Sequence, residues 1–340
     1  MDLLKNITII IITHFHHAYL HRILDYYQEV NVNILVADSS NKVFPSCECY
    51  KNLQYHHYPG LPFCEKMAKI FHHVITPYVV LCADDDFIIP SAINYSLKFL
   101  DANTKYSSVH GHCVSFSKAE KVHVYPLYQE SIGHDISGTT AKERIKQSMN
   151  PYMHQFYSVH RTENLKFFFQ EIHSQFSNQA MGEVGMVLIS AINGKHKTLP
   201  IFYTARDSYK RPERYIVPSI PQMISDPELR KEYEIFIKLA TTHFCQKTGS
   251  SLAEGKKCIE QGIELYLKVF TKKKKQILIY NVSNPIKSLI KPFVPEFLLQ
   301  YLRNLRLRLI IGDTLGYPFF DTEAKKEWEI IESFILKHNV

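Results

Sequence analysis

The chain has 340 residues, of which 45% are hydrophobic, with only 12 glycines and 16 prolines, so a collagen-like or mostly disordered protein is excluded. This length predicts two domains, or three at most. The formal net charge of +7 is too small to indicate nucleic-acid binding by itself. Most of that charge lies near the end of the sequence, because residues 271–310 hold nine Lys and Arg and one Glu.

The seven cysteines form an odd number without paired spacing, which favours a reducing compartment over a disulfide framework. Cys47 and Cys49 could be half of a metal site, but no second pair follows at the spacing of a zinc ribbon. The opening sequence MDLLKNITIIIITHF has an acidic second residue and an apolar run too short for a signal peptide or a spanning helix. We therefore expect a cytoplasmic protein, free or attached to the inner face of the membrane.

The first part of the chain predicts a β-α-β unit. Ile7 to Thr13 is a β-branched apolar run that suits a strand buried on both faces. Ala18 to Val30 carries apolar residues at helical spacing, and Asn33 to Ala37 is a second buried strand that ends before Asp38.

The same alternation continues beyond this unit. Pro62 opens a helix that Pro77 ends, Tyr78 to Cys82 is another apolar strand, and Pro90 begins the next helix. Strands that alternate with helices predict an α/β fold with an open, mostly parallel sheet and helices on both faces.

After residue 106 the sequence predicts a strand-like stretch at 107–126, a strand end with a helix at 159–172 and a helix at 182–192. An extended stretch at 197–204 and two long helices at 228–247 and 251–269 follow. Three prolines between positions 218 and 227 indicate a linker. We therefore place a boundary near Val217, with an α/β domain at residues 1–217 and a mainly helical domain at residues 218–340.

Three consecutive acids, Asp84, Asp85 and Asp86, follow the strand that ends near Cys82. Adjacent carboxylates repel one another and a core cannot hold them unpaired, so we expect an exposed turn at the carboxyl end of the strand, where open α/β sheets bind ligands. A hard divalent cation would relieve the repulsion and bridge to phosphate oxygens. The alternative is an acidic segment that complements the dipole of the helix beginning at Pro90. We favour the metal.

The segments ITIIIITHFHHAYLHRILDYY, ILVADSS and TPYVVLCADDDF resemble the nucleotide-sugar glycosyltransferases of the GT-A fold, specifically family-2-like enzymes, over the chain to about residue 210. The resemblance implies a GT-A-like catalytic domain. It places Thr13 and His14 in the first turn, and Asp38 at the nucleotide base with Ser39 beside it. The family usually has Pro-Thr and then Asn or Arg near this turn, and this chain does not.

The resemblance also assigns the three acids. Asp84 and Asp86 would bind the ribose and a Mn²⁺ or Mg²⁺ ion on the donor diphosphate, with Asp86 in direct contact with the metal and Asp85 beside the donor. Lys66 lies in the helix before them, where it could reach a phosphate or lie on a solvated helix face; Lys69 is expected in solvent. The implied donor is a UDP- or GDP-linked sugar, with a CMP-linked sugar as the other option.

A transferase that inverts the anomeric centre needs a general base, and the family carries one near the start of a helix after the acids. The segment MGEVGM resembles that element, which makes Glu183 the candidate base. The family's Glu-Asp pair is absent, and a glutamate in a first helical turn is ordinary dipole complementation. Arg206 follows the last predicted strand and suits a diphosphate, whereas Arg211 suits a solvent-exposed loop. His154 and Tyr157 lie where acceptor contacts are expected, although a structural role is the favoured interpretation of His154.

Two other functions remain open in the sequence. A nucleotide-sugar-binding protein of the same fold without turnover would keep the acids but not the base. The run THFH resembles the start of the metallo-β-lactamase-like hydrolase motif, but Ala18 and Tyr19 replace two of its metal ligands. Nucleic-acid binding lacks a recognisable module.

The basic segment, residues 271–310, contains an apolar helical stripe with Arg303, Arg306 and Arg308 beside it. Such a helix lies on an anionic membrane or packs its stripe onto the catalytic domain. The resemblance implies as acceptor a hydroxyl of a glycan or lipid-linked glycan, in a bacterial surface polysaccharide or glycolipid.

Overall fold

The computed structural model describes residues 3–118, 121–128, 133–208, 218–282 and 322–338, with the backbone alone for 270–282. The strands are β1 (Ile7–Thr13), β2 (Asn33–Asp38), β3 (Leu53–His57), β4 (Tyr78–Ala83), β5 (Phe87–Ile88), β6 (Tyr106–Lys118), β7 (Val122–Leu127), β8 (Asp135–Ile136), β9 (Val159–Arg161) and β10 (Lys195–Asp207). The helices are α1 (His17–Tyr27), α2 (Phe63–Ile70), α3 (Pro90–Ala102), α4 (Ala141–Met149), α5 (Thr162–Phe167), α6 (Gln179–Asn193), α7 (Ile220–Ser225), α8 (Pro227–Thr248), α9 (Leu252–Val282) and α10 (Thr322–Lys337).

The described strands form one ten-stranded sheet in the order β3-β2-β1-β4-β9-β6-β10-β5, with β7 beside β6 and β8 beside β10. The first four of these strands are mutually parallel, and β10 is parallel to β6. The short strand β9 is antiparallel to both of its neighbours and joins the two parallel parts. The parallel pairings therefore join more residues than the antiparallel ones, which confirms the mostly parallel sheet predicted from the sequence.

Helices cover both faces of this sheet, as predicted. On one face α1, α3 and α10 share a core with the sheet, and Trp328 and Ile331 bring α10 into it. On the other face α2, α4, α6, α8 and α9 share a second core, in which Phe236 and Ile259 are fully buried. Because apolar side chains alternate between the two faces of each strand, one buried run such as Ile7–Thr13 supplies both cores.

The three prolines expected in a linker stand at helix starts or beside them. Pro221 lies in the first turn of α7 and Pro227 is the first residue of α8. A helix start tolerates proline, because its missing N–H has no intrahelical acceptor there. The linker prediction was wrong at these positions, whereas the boundary near Val217 stays a prediction.

The sequence patterns missed β3, β5, β8 and α4. The start of α4 had a readable signal, because Thr140 and Glu143 form a capping box in which each side chain accepts the other's backbone N–H. Within the described ranges, no helix is long and apolar enough to cross a membrane. The arginine-flanked stripe of the basic segment lies outside the described residues.

Candidate functional site

The carboxyl ends of β1, β2 and β4 meet at one edge of the sheet, where Thr13 pairs in register with Asp38. The Thr13 hydroxyl donates a hydrogen bond of 2.6 Å to Asp84 Oδ2. These residues, far apart in the sequence, are brought together because parallel neighbouring strands end on the same side.

Asp38 is fully buried at this edge. Its Oδ2 accepts from the Tyr55 hydroxyl at 2.6 Å and lies 2.8 Å from His17 Nε2, and its Oδ1 accepts from the Ser40 N–H at 2.7 Å. Burial acts to raise the pKa of Asp38, but these hydrogen bonds outweigh it and leave the pKa lowered. The carboxylate is therefore charged and held mainly by protein groups.

Lys66 lies under the first turn rather than on a solvated helix face. Its Nζ donates to the Thr13 carbonyl and to Ser39 Oγ, both at 2.9 Å, and only 2% of the residue is exposed. Burial lowers the pKa of Lys66 to about 8, although the charges of Asp38 and Asp84 act to raise it. Lys69, by contrast, is exposed as expected.

The turn between β1 and α1 carries a backbone conformation that non-glycine residues rarely adopt. Phe15 has a φ of 62°, and its N–H donates to Ser40 Oγ at 2.8 Å. Beside it, His14 Nδ1 lies 3.0 Å from Ser39 Oγ. Backbone strain of this kind is found most often at active sites and binding sites.

The acid turn follows β4 as predicted, but it is not exposed. Asp84 is 4% and Asp86 2% exposed. Asp86 Oδ1 accepts from the Asp207 N–H at 2.7 Å, and its Oδ2 lies 3.3 Å from Arg206 Nε and accepts from the Tyr157 hydroxyl. Hydrogen-bond donors from residues distant in the sequence replace water around this carboxylate, so the expectation of an exposed turn was wrong.

A second cation, Arg22, also contacts the turn. Arg22 Nη2 donates to the Asp85 carbonyl at 2.7 Å and lies 3.6 Å from Asp207 Oδ2. Burial, and then the charge of Asp85, raises the pKa of Asp86 to about 7.

The residues of the turn give a test of the predicted metal. A Mg²⁺ or Mn²⁺ ion would need carboxylate oxygens directed at it and at the diphosphate. Both Asp86 oxygens are occupied by protein donors, one of them a guanidinium, and Asp84 Oδ2 accepts from Thr13. This arrangement fits an arginine at Asp86 and does not fit a divalent cation there.

A cavity of about 320 Å³ opens at the carboxyl ends of β4 and β10. Its wall is largely aromatic, with polar groups from α6 and β10; the lining residues are Ala83, Tyr128, Tyr152, His154, Gln155, Phe156, Tyr157, Gln179, Glu183, Met186 and Arg206. The structure therefore brings Glu183, Arg206, His154 and Tyr157 to one cavity, whereas the roles expected for them stay predictions.

Sequence reasoning missed the tyrosines at 128 and 152. Tyr128 contacts the Arg206 guanidinium with its hydroxyl and stacks on His154 at 4.1 Å between ring centroids. An isolated tyrosine in a weakly patterned segment carries no local signal of such a contact.

Glu183 lies in α6, which begins at Gln179 and is capped by the Asn178 side chain on the Met181 N–H. It stands in the second turn, so the first-turn dipole explanation was wrong. Its side chain is exposed and lines the cavity. The protein atoms packed around the carboxyl group remove part of its hydration and so raise the pKa of Glu183, while the charge of Arg206 opposes the shift. A carboxylate with a raised pKa facing a cavity has the properties of a general base.

Arg206 connects the acid turn to the cavity. It lies within β10 rather than after it, and its guanidinium contacts Asp86 and sits 4.9 Å from the centre of the Tyr157 ring. Arg211 lies outside the described residues.

The histidines of the THFH run do not form a metal centre among the described side chains. The one group of three or more potential ligands found in the described ranges consists of His21, Asp25 and His338. His14 and His16 are not part of it, which removes the geometric basis for the hydrolase alternative. Cys47 and Cys49 do not join such a group either.

No protein-family model and no curated protein matches the sequence. Among solved structures, the chain is similar to S. aureus TarS residues 1–349 in complex with UDP-GlcNAc, with a TM-score of 0.52 and 13% identity over 77% of this chain and 73% of that one. A structure of the same TarS fragment gives a TM-score of 0.49 and 14% identity, over 77% and 70% of the two chains. The chain has a GT-A-like α/β fold. The fold class predicted from the sequence is thereby confirmed.

Proposed function

We propose that the chain is a glycosyltransferase that takes its sugar from a nucleotide-sugar donor. The observation that carries the proposal is the cavity at the carboxyl ends of the strands, in which Glu183, with a raised pKa, and Arg206 share the wall. The shared fold supports it, because the TarS fragment of the same fold binds UDP-GlcNAc. That ligand favours a UDP-linked sugar over GDP- and CMP-linked sugars here.

Two cations, the buried Lys66 and the partly exposed Arg206, are placed to hold the donor. Lys66 lies beneath the turn formed by Thr13, His14 and Ser39, and Arg206 lies at the cavity wall. Guanidinium and ammonium groups bind phosphate oxygens through charge-assisted hydrogen bonds. We assign the diphosphate to the space between them and the nucleoside to the edge where Asp38 holds His17.

In the proposed reaction Glu183 takes the proton of an acceptor hydroxyl. The hydroxyl oxygen forms a bond to the anomeric carbon as the bond from that carbon to the diphosphate oxygen breaks. The electron pair of the broken bond stays on the diphosphate, whose growing charge Arg206 and Lys66 stabilise. A single displacement inverts the anomeric centre, and the products are a glycoside and a nucleoside diphosphate.

The aromatic wall of the cavity suits a carbohydrate acceptor. Tyr152, His154 and Phe156 offer ring faces, while Gln179 and Gln155 offer hydrogen-bonding groups. We propose a hydroxyl of a glycan or lipid-linked glycan as the acceptor, as in bacterial surface polysaccharides.

Metal dependence is not part of this proposal, because Asp86 is paired with Arg206. The Mn²⁺ or Mg²⁺ requirement expected from the sequence stays a prediction. So do attachment to an anionic membrane and a location at its inner face.

The test is release of UDP from UDP-GlcNAc by the purified chain, with and without glycan acceptors. We expect slow release by the wild type and a loss of about 10²-fold or more in Glu183→Gln, with donor binding retained. The acidic limb of the pH–rate profile should lie above the ordinary range of a glutamate, because the base must be ionised and its pKa is raised.

The matched control is Glu163→Gln, which changes an exposed glutamate on α5 and should leave the rate unchanged. Binding of UDP-GlcNAc without any release, in wild type and variants alike, would identify a nucleotide-sugar-binding protein without turnover. Equal rates in wild type and Glu183→Gln would remove Glu183 from the reaction.

A further inference from the structure

Two histidines and an aspartate converge where the first helix meets the last. His21 and Asp25 lie one turn apart on α1, and His338 directly follows α10. One ligand atom from each lies within 4.8 Å of the other two. None of the three lines the cavity that carries the proposed function.

The distances agree with a tetrahedral metal centre. Asp25 Oδ2 lies 3.1 Å from His338 Nε2 and 3.6 Å from His21 Nδ1. Bonds of about 2.0–2.1 Å from zinc to nitrogen and oxygen put neighbouring ligand atoms roughly 3.3–3.4 Å apart. The two measured separations bracket that value.

Hydrogen bonding does not account for the closest of these contacts. Within the described residues, His338 Nε2 is buried and makes no hydrogen bond, although Asp25 Oδ2 is 3.1 Å away. The ring N–H direction therefore misses the carboxylate oxygen. Ligand atoms around a metal show this arrangement, because their lone pairs point at the ion and not at each other.

The aspartate is oriented by a second contact. The Tyr50 hydroxyl donates to Asp25 Oδ1 at 2.8 Å, which leaves Oδ2 directed at the histidines. A fixed outer partner of this kind orients the ligands of protein metal sites. Lys337 Nζ also lies 3.6 Å from Oδ2, but its side chain is 67% exposed and can move into water.

We propose that His21, Asp25 and His338 bind one Zn²⁺ ion, with water as the fourth ligand, and that the ion fastens the helix α10 to α1. Two imidazoles and one carboxylate are a ligand set that zinc prefers over Mg²⁺ or Ca²⁺. The ion would stabilise the native state, since His338 comes from the far end of the chain and the three ligands meet only on folding. The same α1 begins with His17, which contacts Asp38 at the proposed donor edge.

The test uses the full chain after removal of metals by a chelator. Titration with Co²⁺ alone should give the visible absorption of a tetrahedral histidine–carboxylate site, and titration with Zn²⁺ should raise the melting temperature. We expect His338→Gln and His21→Gln each to weaken metal binding by at least about tenfold, since removal of an outer partner alone costs 10- to 100-fold. Circular dichroism confirms that each variant is folded.

Lys337→Gln is the matched control, because it removes a contact to the same carboxylate without removing a ligand. It should bind Co²⁺ as tightly as the wild type or more tightly. Cys47→Ser/Cys49→Ser should leave the Co²⁺ spectrum unchanged. No Co²⁺ uptake, a spectrum unaffected by both histidine substitutions, or an equal loss in Lys337→Gln would each overturn the site. None of these readouts depends on transferase activity.

Discussion

Lys66 illustrates how burial changes the pKa of a single charged group. Its ammonium is removed from water and hydrogen-bonded to the turn after β1, and burial lowers its pKa to about 8. We expect Lys66→Met to weaken UDP binding by tenfold or more, because the substitution removes the charge-assisted phosphate contact that we propose. The effect is measured by calorimetric titration with UDP.

The same residue makes UDP binding depend on pH. Wild-type affinity should fall as the pH rises through about 8, since Lys66 loses its proton there, and Lys66→Met should lack this step. Lys69→Met, on the exposed side of α2, is the control and should bind UDP like the wild type. Unchanged affinity in Lys66→Met would remove the lysine from the donor site.

Arg206 and Asp86 show how one residue can block the role predicted for another. A cation that binds Asp86 must displace the guanidinium 3.3 Å away. We therefore expect Arg206→Gln to bind Mn²⁺ alone more tightly than the wild type, as measured by the electron paramagnetic resonance of free Mn²⁺. Uptake at this turn is identified by its loss when Asp86→Asn is added. If neither protein takes up Mn²⁺ there, the acids serve the fold and the cations around them.

At the scale of elements, the helix that carries Glu183 is fixed at its end by a neighbouring helix. Arg144 of α4 donates to the carbonyls of Ala191 and Ile192 at 2.7 and 2.9 Å, and so satisfies backbone acceptors in the last turn of α6. Two further hydrogen bonds reach the carbonyls before α4. One side chain thus ties α4, α6 and the loop between β8 and α4 together.

We expect Arg144→Met to lower the free energy of unfolding by about 2–4 kcal/mol, because it leaves part-buried carbonyls without donors. Urea denaturation measures the change. The control is Arg230→Met, which removes an exposed ion pair to Glu234 and should change stability by less than about 0.5 kcal/mol. Equal effects of the two substitutions would show that the contacts to α6 stabilise the fold no more than an exposed ion pair does.

At the scale of the whole molecule, buried histidines set the response to acid. Burial lowers the pKa of His110 to about 3 and the pKa values of His160, His173 and His243 to about 4. These groups are charged in the unfolded chain below pH 6.5 but neutral in the folded one. The contribution of these histidines to the free energy of unfolding is therefore complete above pH 6.5. It falls as the pH drops toward 4, because the unfolded state binds more protons.

Each such histidine contributes at most about 1.4 kcal/mol per pH unit to this slope. Asp86 and Glu183, whose pKa values are raised, bind protons on folding and offset part of it. We expect the urea midpoint to fall between pH 7 and pH 5, and His173→Leu to reduce the slope by about one proton. A midpoint independent of pH in this range would contradict the burial of these rings.

The elements with strong local patterns could be read from the sequence. The strand Ile7–Thr13 has the predicted bounds, since a β-branched apolar run of that length is compatible with little except a buried strand. Parallel strands then place their following residues at one edge, so the meeting of Thr13, Asp38 and Asp84 follows from the order of elements. The α/β class and the neighbourhood of Glu183 and Arg206 were accessible in the same way.

Tertiary structure alone decided which charges meet. The pairing of Asp86 with Arg206 joins residues 120 positions apart, and the local sequence of the acids fits an exposed metal turn equally well. Tertiary packing also decided three other features that no local pattern predicts: the insertion of the antiparallel strand β9, the docking of α10 through Trp328 and the convergence of His338 on α1. Local periodicity encodes which face of an element is apolar, whereas the partner of a buried charge is fixed only by packing across the whole chain, because desolvation penalises every arrangement that leaves it unpaired.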